Sequence, residues 1–533
     1  MYATESKSQS SEDKDFETIV SSEPFYTVTQ YSEVSNPEIQ HLGDDQITNV
    51  YEENCLSEKE ETKPQKKTRI CPCCPPQGRL NKIITNGVLL FMIWCISWSL
   101  IGSLVLPGGS LFGLLVIFYS AVIGGKLLQL IRIRSVPPLP PLLGMLLAGF
   151  LIRNVPFISK HVRIHTTWSS TLRNTALTII LIRAGLGLDP QALKNLKGVC
   201  LRLSVGPCIM EACSAAVFSR LIMKFPWEWG FLLGFVLGAV SPAVVVPSML
   251  LLQENGYGVE KGIPTLLIAA SSLDDILAIT GFNTCLSIVF SPGGVLFNVV
   301  SSIRDVVIGV LIGTVLGIFV HFFPSKDQSN LPLKRATLIL SMCISAVLGS
   351  HRIGLHATGG LCTLTMSFIA GTSWSKEKVR VQTFIKATWD VFQPLLFGLV
   401  GSEISVSALE ANKIGICVAT LSLALCVRIL TTFLLMCFAG FSFKEKIFIA
   451  LSWVPKATVQ AVLGPLALEA ARLTTAPHLE AYSKDVMTVA FLAILITAPN
   501  GALFIGILGP KILARHYDPN KIKLHLSAAA AHH

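Results

Sequence analysis

Ala269-Ala270-Ser271-Ser272-Leu273-Asp274-Asp275-Ile276-Leu277-Ala278-Ile279-Thr280 sets two adjacent carboxylates near the middle of an apolar run extending from about Ile263 to Phe290. Such a run is long enough to cross a bilayer, which takes about 20 apolar residues of helix. A charge at bilayer depth costs roughly 2.5–3.5 kcal/mol on insertion scales, so two side by side mark a functional site. In a low dielectric, two neighbouring carboxylates do not both stay ionised: they hold protons, or a bound cation offsets them. Proton and cation then compete for one place, which is the chemistry of an exchanger. The structural alternative is one carboxylate salt-bridged for packing and the other facing water.

The whole chain agrees with that setting. Of 533 residues, 51% are hydrophobic and only 14% charged, with a mean hydropathy of +0.59, outside the range of soluble globular domains. The composition predicts an all-α polytopic membrane protein. Residues 1–62 carry 15 Asp/Glu against three Lys, a net −12, and read as an acidic disordered cytoplasmic tail; the rest carries a net +22. Because that basic excess sits mostly in loops, it reports membrane topology and makes no case for nucleic-acid binding.

Residues 63–82 form a basic juxtamembrane linker that anionic lipids would suit. Its Cys71-Pro72-Cys73-Cys74 cluster offers thiols for palmitoylation but has no paired cluster at metal-ligand spacing. The 14 cysteines imply no disulfide framework. An extra first helix covers 83–106, the main membrane domain 107–510, and a cytoplasmic C-terminal tail 511–533, whose Ser527-to-His533 end looks like a vector-derived scar.

Candidate spans are 83–106, 110–130, 139–153, 168–187, 196–223, 228–252, 263–290, 296–322, 334–350, 355–373, 384–403, 413–437, 446–466 and 486–510, about fourteen helices. The Lys/Arg bias of the loops places both termini in the cytoplasm. Two spans contain helix breakers at mid-depth. One reads Gly238-Ala239-Val240-Ser241-Pro242-Ala243-Val244-Val245-Val246-Pro247; the other reads Ser452-Trp453-Val454-Pro455-Lys456-Ala457-Thr458. Proline removes a backbone donor and clashes one turn back, so both helices should break there and expose half-helix ends able to coordinate ions. The broken spans are seven apart and therefore run in opposite directions, as inverted repeats of spans 2–7 and 9–14 require.

Among the further charges in spans, Glu211, Arg428 and Lys456 lie deep, while Arg202, Asp305 and Asp390 lie nearer span ends. Glu211 and Arg428 are the natural structural ion pair, since guanidinium keeps its charge. Lys456, at the break, would offset the dipoles of facing half-helix C-termini, or else snorkel to water.

These features together resemble the cation:proton antiporter superfamily, and the acidic tail and extra first span resemble the animal sodium/hydrogen antiporters of the NHA type. The resemblance covers roughly residues 83–515. It rests on Ser241-Pro242, Asp274-Asp275 and the segment Trp389-Asp390-Val391-Phe392-Gln393-Pro394-Leu395-Leu396-Phe397-Gly398-Leu399-Val400-Gly401. It implies that Asp275 is the principal carboxylate for Na+ or Li+ and for H+, with Asp274 beside it, and that Arg428 stands where bacterial relatives carry a lysine. It also implies a homodimer, no cofactor, crossed discontinuous helices, and a core bundle that moves against a stationary dimerisation bundle in a plasma, endosomal or mitochondrial membrane.

Other functions fit less well. A sodium-coupled organic-anion symporter would have its substrate repelled by the paired carboxylates. An intramembrane aspartyl protease needs aspartates facing each other from two helices, whereas adjacent residues diverge by about 100° around one.

Overall fold

The structure is a computed structural model that describes residues 79–130, 139–188, 197–290, 294–325, 327–374, 377–406, 411–473 and 477–516. The acidic tail, the cysteine cluster and the Ser527-to-His533 end lie outside the described residues. The chain divides between Gly87 and Val88 into two compact units. Of the first, residues 79–87 are described, the opening turns of a helix; all later elements belong to the second.

The helices are α1 Arg79–Ile101, α2 Ser110–Leu130, α3 Pro141–Asn154, α4 Thr166–Gly187, α5 Lys197–Phe218, α6 Trp227–Gly238, α7 Pro242–Glu254, α8 Ile263–Phe290, α9 Val295–Phe322, α10 Leu331–Arg352, α11 His356–Ser373, α12 Lys378–Glu403, α13 Ala411–Met436, α14 Phe443–Ser452, α15 Thr458–Leu473 and α16 Pro477–Ile512. The only β pairing among the described residues is one isolated bridge, Tyr257 to Arg515. By length and composition, nine stretches among the described residues suit a membrane crossing, with α6–α7 counted as one. The expectation of fourteen goes beyond that number: α3 is short, α14 and α15 are separate short pieces, and α4, α11 and α12 are less apolar.

Both breaks fall where the prolines put them. After α6, Ala239 is extended (φ −81, ψ 139), and Ser241 (φ −88, ψ 110) leads into α7 with Pro242 at its first position, where proline's missing N–H costs nothing. The second break separates α14 from α15 over residues 453–457. α14 itself starts on a capping box, in which Ser442 and Glu445 satisfy each other's backbone N–H. Lys261, in the α7–α8 connection, reaches Glu445 at 2.8 Å.

Packing sorts the helices of the second unit into two groups. α5 to α8 pack with α13 to α16, while α2, α3, α4, α9, α10, α11 and α12 pack with one another. Between the groups, α8 packs on α9, α11 and α4, α15 leans on α4 and α12, and α16 touches α3. The order of α2–α8 repeats in α10–α16, with the break in the fifth segment of each set. In the second group α3 and α12 meet backbone to backbone: a Cβ built on Gly149 would lie 2.0 Å from the Gly398 carbonyl oxygen. Overpacking of this kind typically costs about 1–3 kcal/mol. Gly149→Leu therefore lowers the melting temperature of the purified protein, whereas Gly415→Leu on α13, where a Cβ meets nothing within 4 Å, leaves it unchanged. Equal melting temperatures for the two variants would contradict this helix contact.

Candidate functional site

A helix that stops in mid-membrane leaves its last four carbonyls without intrahelical partners. At the end of α6 each of these carbonyls finds a donor brought in from another part of the chain. Gln460 Nε2 donates to the oxygens of Val236 (2.9 Å) and Ala239 (3.0 Å). Lys456 Nζ donates to Leu237, and Arg428 Nη1 to Gly238. Cations at a helix C-terminus also offset its partial negative charge. The other break is served likewise, with Arg428 Nε donating to the Trp453 oxygen at 3.1 Å.

The two breaks touch directly. The Ser241 N–H donates to the Pro455 oxygen at 2.8 Å, and the hydroxyls of Ser241 and Thr458 are 3.5 Å apart. The Lys456 N–H donates to Thr497 Oγ1 on α16 at 2.9 Å. Val244 and Ala457 are buried but spend their backbone groups locally, Val244 N–H on the Ser241 oxygen and the Ala457 oxygen on Ala461. Pro242 and Ala243 line a cavity of about 90 Å³ together with Thr458, Ser272, Arg183 and Trp389. Ser272 lies three residues before Asp275, on the same face of α8. Arg183 stacks over the Trp389 ring, 5.6 Å from its centroid.

Around this crossing lie five charges, all at most 1% exposed. Arg428 Nη1 is 2.5 Å from Glu211 Oε2, and its Nη2 is 2.8 Å from Asp274 Oδ2. Asp274 Oδ2 also accepts the Val240 N–H of the first break at 2.7 Å. Lys456 Nζ sits 2.7 Å and 2.8 Å from the two oxygens of Glu211. The expected Glu211–Arg428 pair is present, but it does not stand alone. Its guanidinium also holds Asp274, and Lys456 neither snorkels to water nor serves the dipoles alone, since its ammonium is paired to Glu211. Two carboxylates and two cations in one dry space each seek more than one partner.

Asp275 is the exception. It is buried, yet neither of its carboxylate oxygens accepts a hydrogen bond from any described residue, and Asp274 Oδ1 is likewise open. Three carboxylates therefore face two cations, and the uncompensated charge falls on Asp275. Oxygen donors of this kind suit a hard monovalent cation or a proton. Gln460 and Thr497 were missed in the sequence; the available signal was a Gln four residues after Lys456, at the start of a half-helix that is apolar from Ala461 to Leu468.

A family model described as "Sodium/hydrogen exchanger, transmembrane" matches residues 117–508. The chain is 70% identical over 533 residues to Sodium/hydrogen exchanger 9B1 of Homo sapiens, covering 100% of both chains. To Sodium/hydrogen exchanger 9B2 of Homo sapiens it is 59% identical over 448 residues, covering 84% of this chain and 83% of the relative. Its helices superpose on a solved structure of the sodium proton antiporter MjNhaP1 from Methanocaldococcus jannaschii at pH 8 with a TM-score of 0.61. That match, at 19% identity, covers 76% of this chain and 98% of the other, and shows the shared fold. With a matched domain that takes in both breaks and all five buried charges, the chain belongs to the sodium/hydrogen exchanger family, as an integral multi-pass membrane protein.

Proposed function

We propose that the protein is a transporter, not an enzyme, and exchanges Na+ or Li+ for H+ at Asp275, with Asp274 as its neighbour. The observation that carries this reading is the unpartnered, buried Asp275 carboxylate beside a cluster whose other four charges cancel. A lone buried negative charge is costly in a low dielectric, so it holds either a proton or a cation. Occupancy by one excludes the other, and coupled exchange follows if the site turns to each side of the membrane only when loaded. The 90 Å³ cavity beside Ser272 is the access route on one side.

On this reading α5–α8 with α13–α16 form the moving core. The other group is the scaffold and homodimer contact, the whole chain makes fourteen crossings, and both termini are cytoplasmic. Proteolysis gains no support, because Asp274 and Asp275 stand on one helix with Asp274 held by Arg428.

A Na+ gradient across vesicles containing the protein should drive proton flux, with apparent Na+ affinity rising with pH as the competing proton is removed. The exchange should be one to one, because Arg428 occupies the place of a second proton carrier and does not deprotonate. An imposed membrane potential then leaves the flux unchanged, and a Na+ jump on a solid-supported membrane gives no sustained current. Absence of Na+-dependent flux would overturn exchange; a steady current lost in Asp275→Asn would overturn the one-to-one count and implicate Asp274 or Lys456.

A further inference from the structure

A second cavity, of about 390 Å³, lies at the other end of α4 from Arg183, between the α3–α4 connection, α12 and α15. Its volume is in the range of small-molecule sites, roughly 300–1,000 Å³. Three arginines line it, Arg153, Arg163 and Arg472, with the Glu403 carboxylate and the hydroxyls of Ser159, Thr166 and Ser402. Against its wall the buried Arg173 lies 3.3 Å from Glu469 and 3.7 Å from Glu403, and Arg472 lies 3.4 Å from Glu403. Four arginines thus face two glutamates, leaving two positive charges over. Arg153 and Arg163 are exposed and make no ion pair or side-chain hydrogen bond among the described residues.

A mouth shaped to gather Na+ would be negative, since a cleft lined with one sign of charge concentrates ligands of the opposite sign. The guanidinium fork matches phosphate oxygens two at a time, and hydroxyls complete such a set. We infer that this cavity binds a phosphate-bearing anion, with its oxygens shared among Arg153, Arg163 and Arg472. A lipid headgroup and a soluble phosphate present the same chemistry. Arg472 belongs to one packing group, whereas Arg153 and Arg163 belong to the other, so a bound anion ties the two together. The slowing of exchange that follows rests on the moving-core reading; the binding itself does not.

The test is thermal unfolding of the purified full-length protein, because a ligand of the folded state raises its melting temperature with concentration. Inorganic phosphate is compared with sodium chloride at equal ionic strength, and phosphatidic acid with phosphatidylcholine in mixed micelles. The wild type should be protected by at least one phosphate source. In Arg153→Gln with Arg163→Gln the apparent affinity should be at least about tenfold weaker, since each lost charge-assisted hydrogen bond is worth about that factor or more. Protection by inorganic phosphate identifies a soluble anion, and protection by phosphatidic acid alone identifies a headgroup. No protection from either source, or equal protection of the double variant, would overturn the site. In vesicles the protecting anion should slow Na+-driven proton flux in the wild type but not in the double variant; binding without slowing would overturn the tie between the two groups.

Discussion

Asp275→Asn reduces Na+-driven proton flux to background while the protein still folds. Asparagine keeps the shape of the side chain but carries no charge for Na+ and takes up no proton. Stability should not fall, because Asp275 has no ion pair to lose: neither oxygen accepts a hydrogen bond from a described residue, and removing a lone buried charge relieves a desolvation cost. Asp274→Asn is expected to do less harm to transport. Its Oδ2 is occupied by Arg428 and the Val240 N–H, and an amide oxygen still accepts those two bonds. Flux assays in vesicles and melting curves on the same preparations decide the matter. Wild-type flux in Asp275→Asn would remove the carboxylate from the mechanism, and an equal or greater loss in Asp274→Asn would reverse the two roles.

The second large effect is on stability. Glu211→Gln leaves Lys456 and Arg428 each short of a buried partner, and breaking such a pair typically costs roughly 3–5 kcal/mol. Lys456→Gln alone strands Glu211 in part and strips the Leu237 carbonyl of its cation. Removing Glu211 and Lys456 together takes away one charge of each sign and keeps Arg428 on Asp274, so the double variant should lose clearly less than the sum of the singles. Glu211→Gln with Arg428→Gln behaves differently: it strands Lys456 and Asp274, and its loss should stay near the sum. Melting temperatures of the five variants and the wild type give both cycles. Strong coupling of Glu211 to Arg428 with none to Lys456 would show that the network is wired otherwise.

Much of this arrangement can be read from residue order. Both helix breaks lie where Ser241-Pro242 and Pro455 place them, because proline's lost donor and fixed ring act on the nearest turn whatever else the chain does. The Asp pair announces itself because the cost of charge at bilayer depth needs no knowledge of neighbours. That the breaks cross is only what the family resemblance implies; the residues that make the contact, Ser241 with Pro455 and Thr458, require the fold. Gln460 passed unnoticed for the same reason: a neutral amide in an apolar stretch shows its purpose only against the two carbonyls it serves on α6.

Residue order therefore settles the membrane-embedded helical class, the two discontinuous helices and the position of the carboxylate pair in mid-span. Those follow from local chemistry, namely backbone sterics and the transfer of side chains out of water. Tertiary structure alone decided who neutralises whom. Arg428 reaches Asp274 across 154 positions and Glu211 across 217, and Lys456 reaches Glu211 across 245. Partner choice over such separations depends on how the helices pack, and in a dry interior with several charges of each sign, a few ångströms of packing settle which pair forms and which carboxylate is left for the ion.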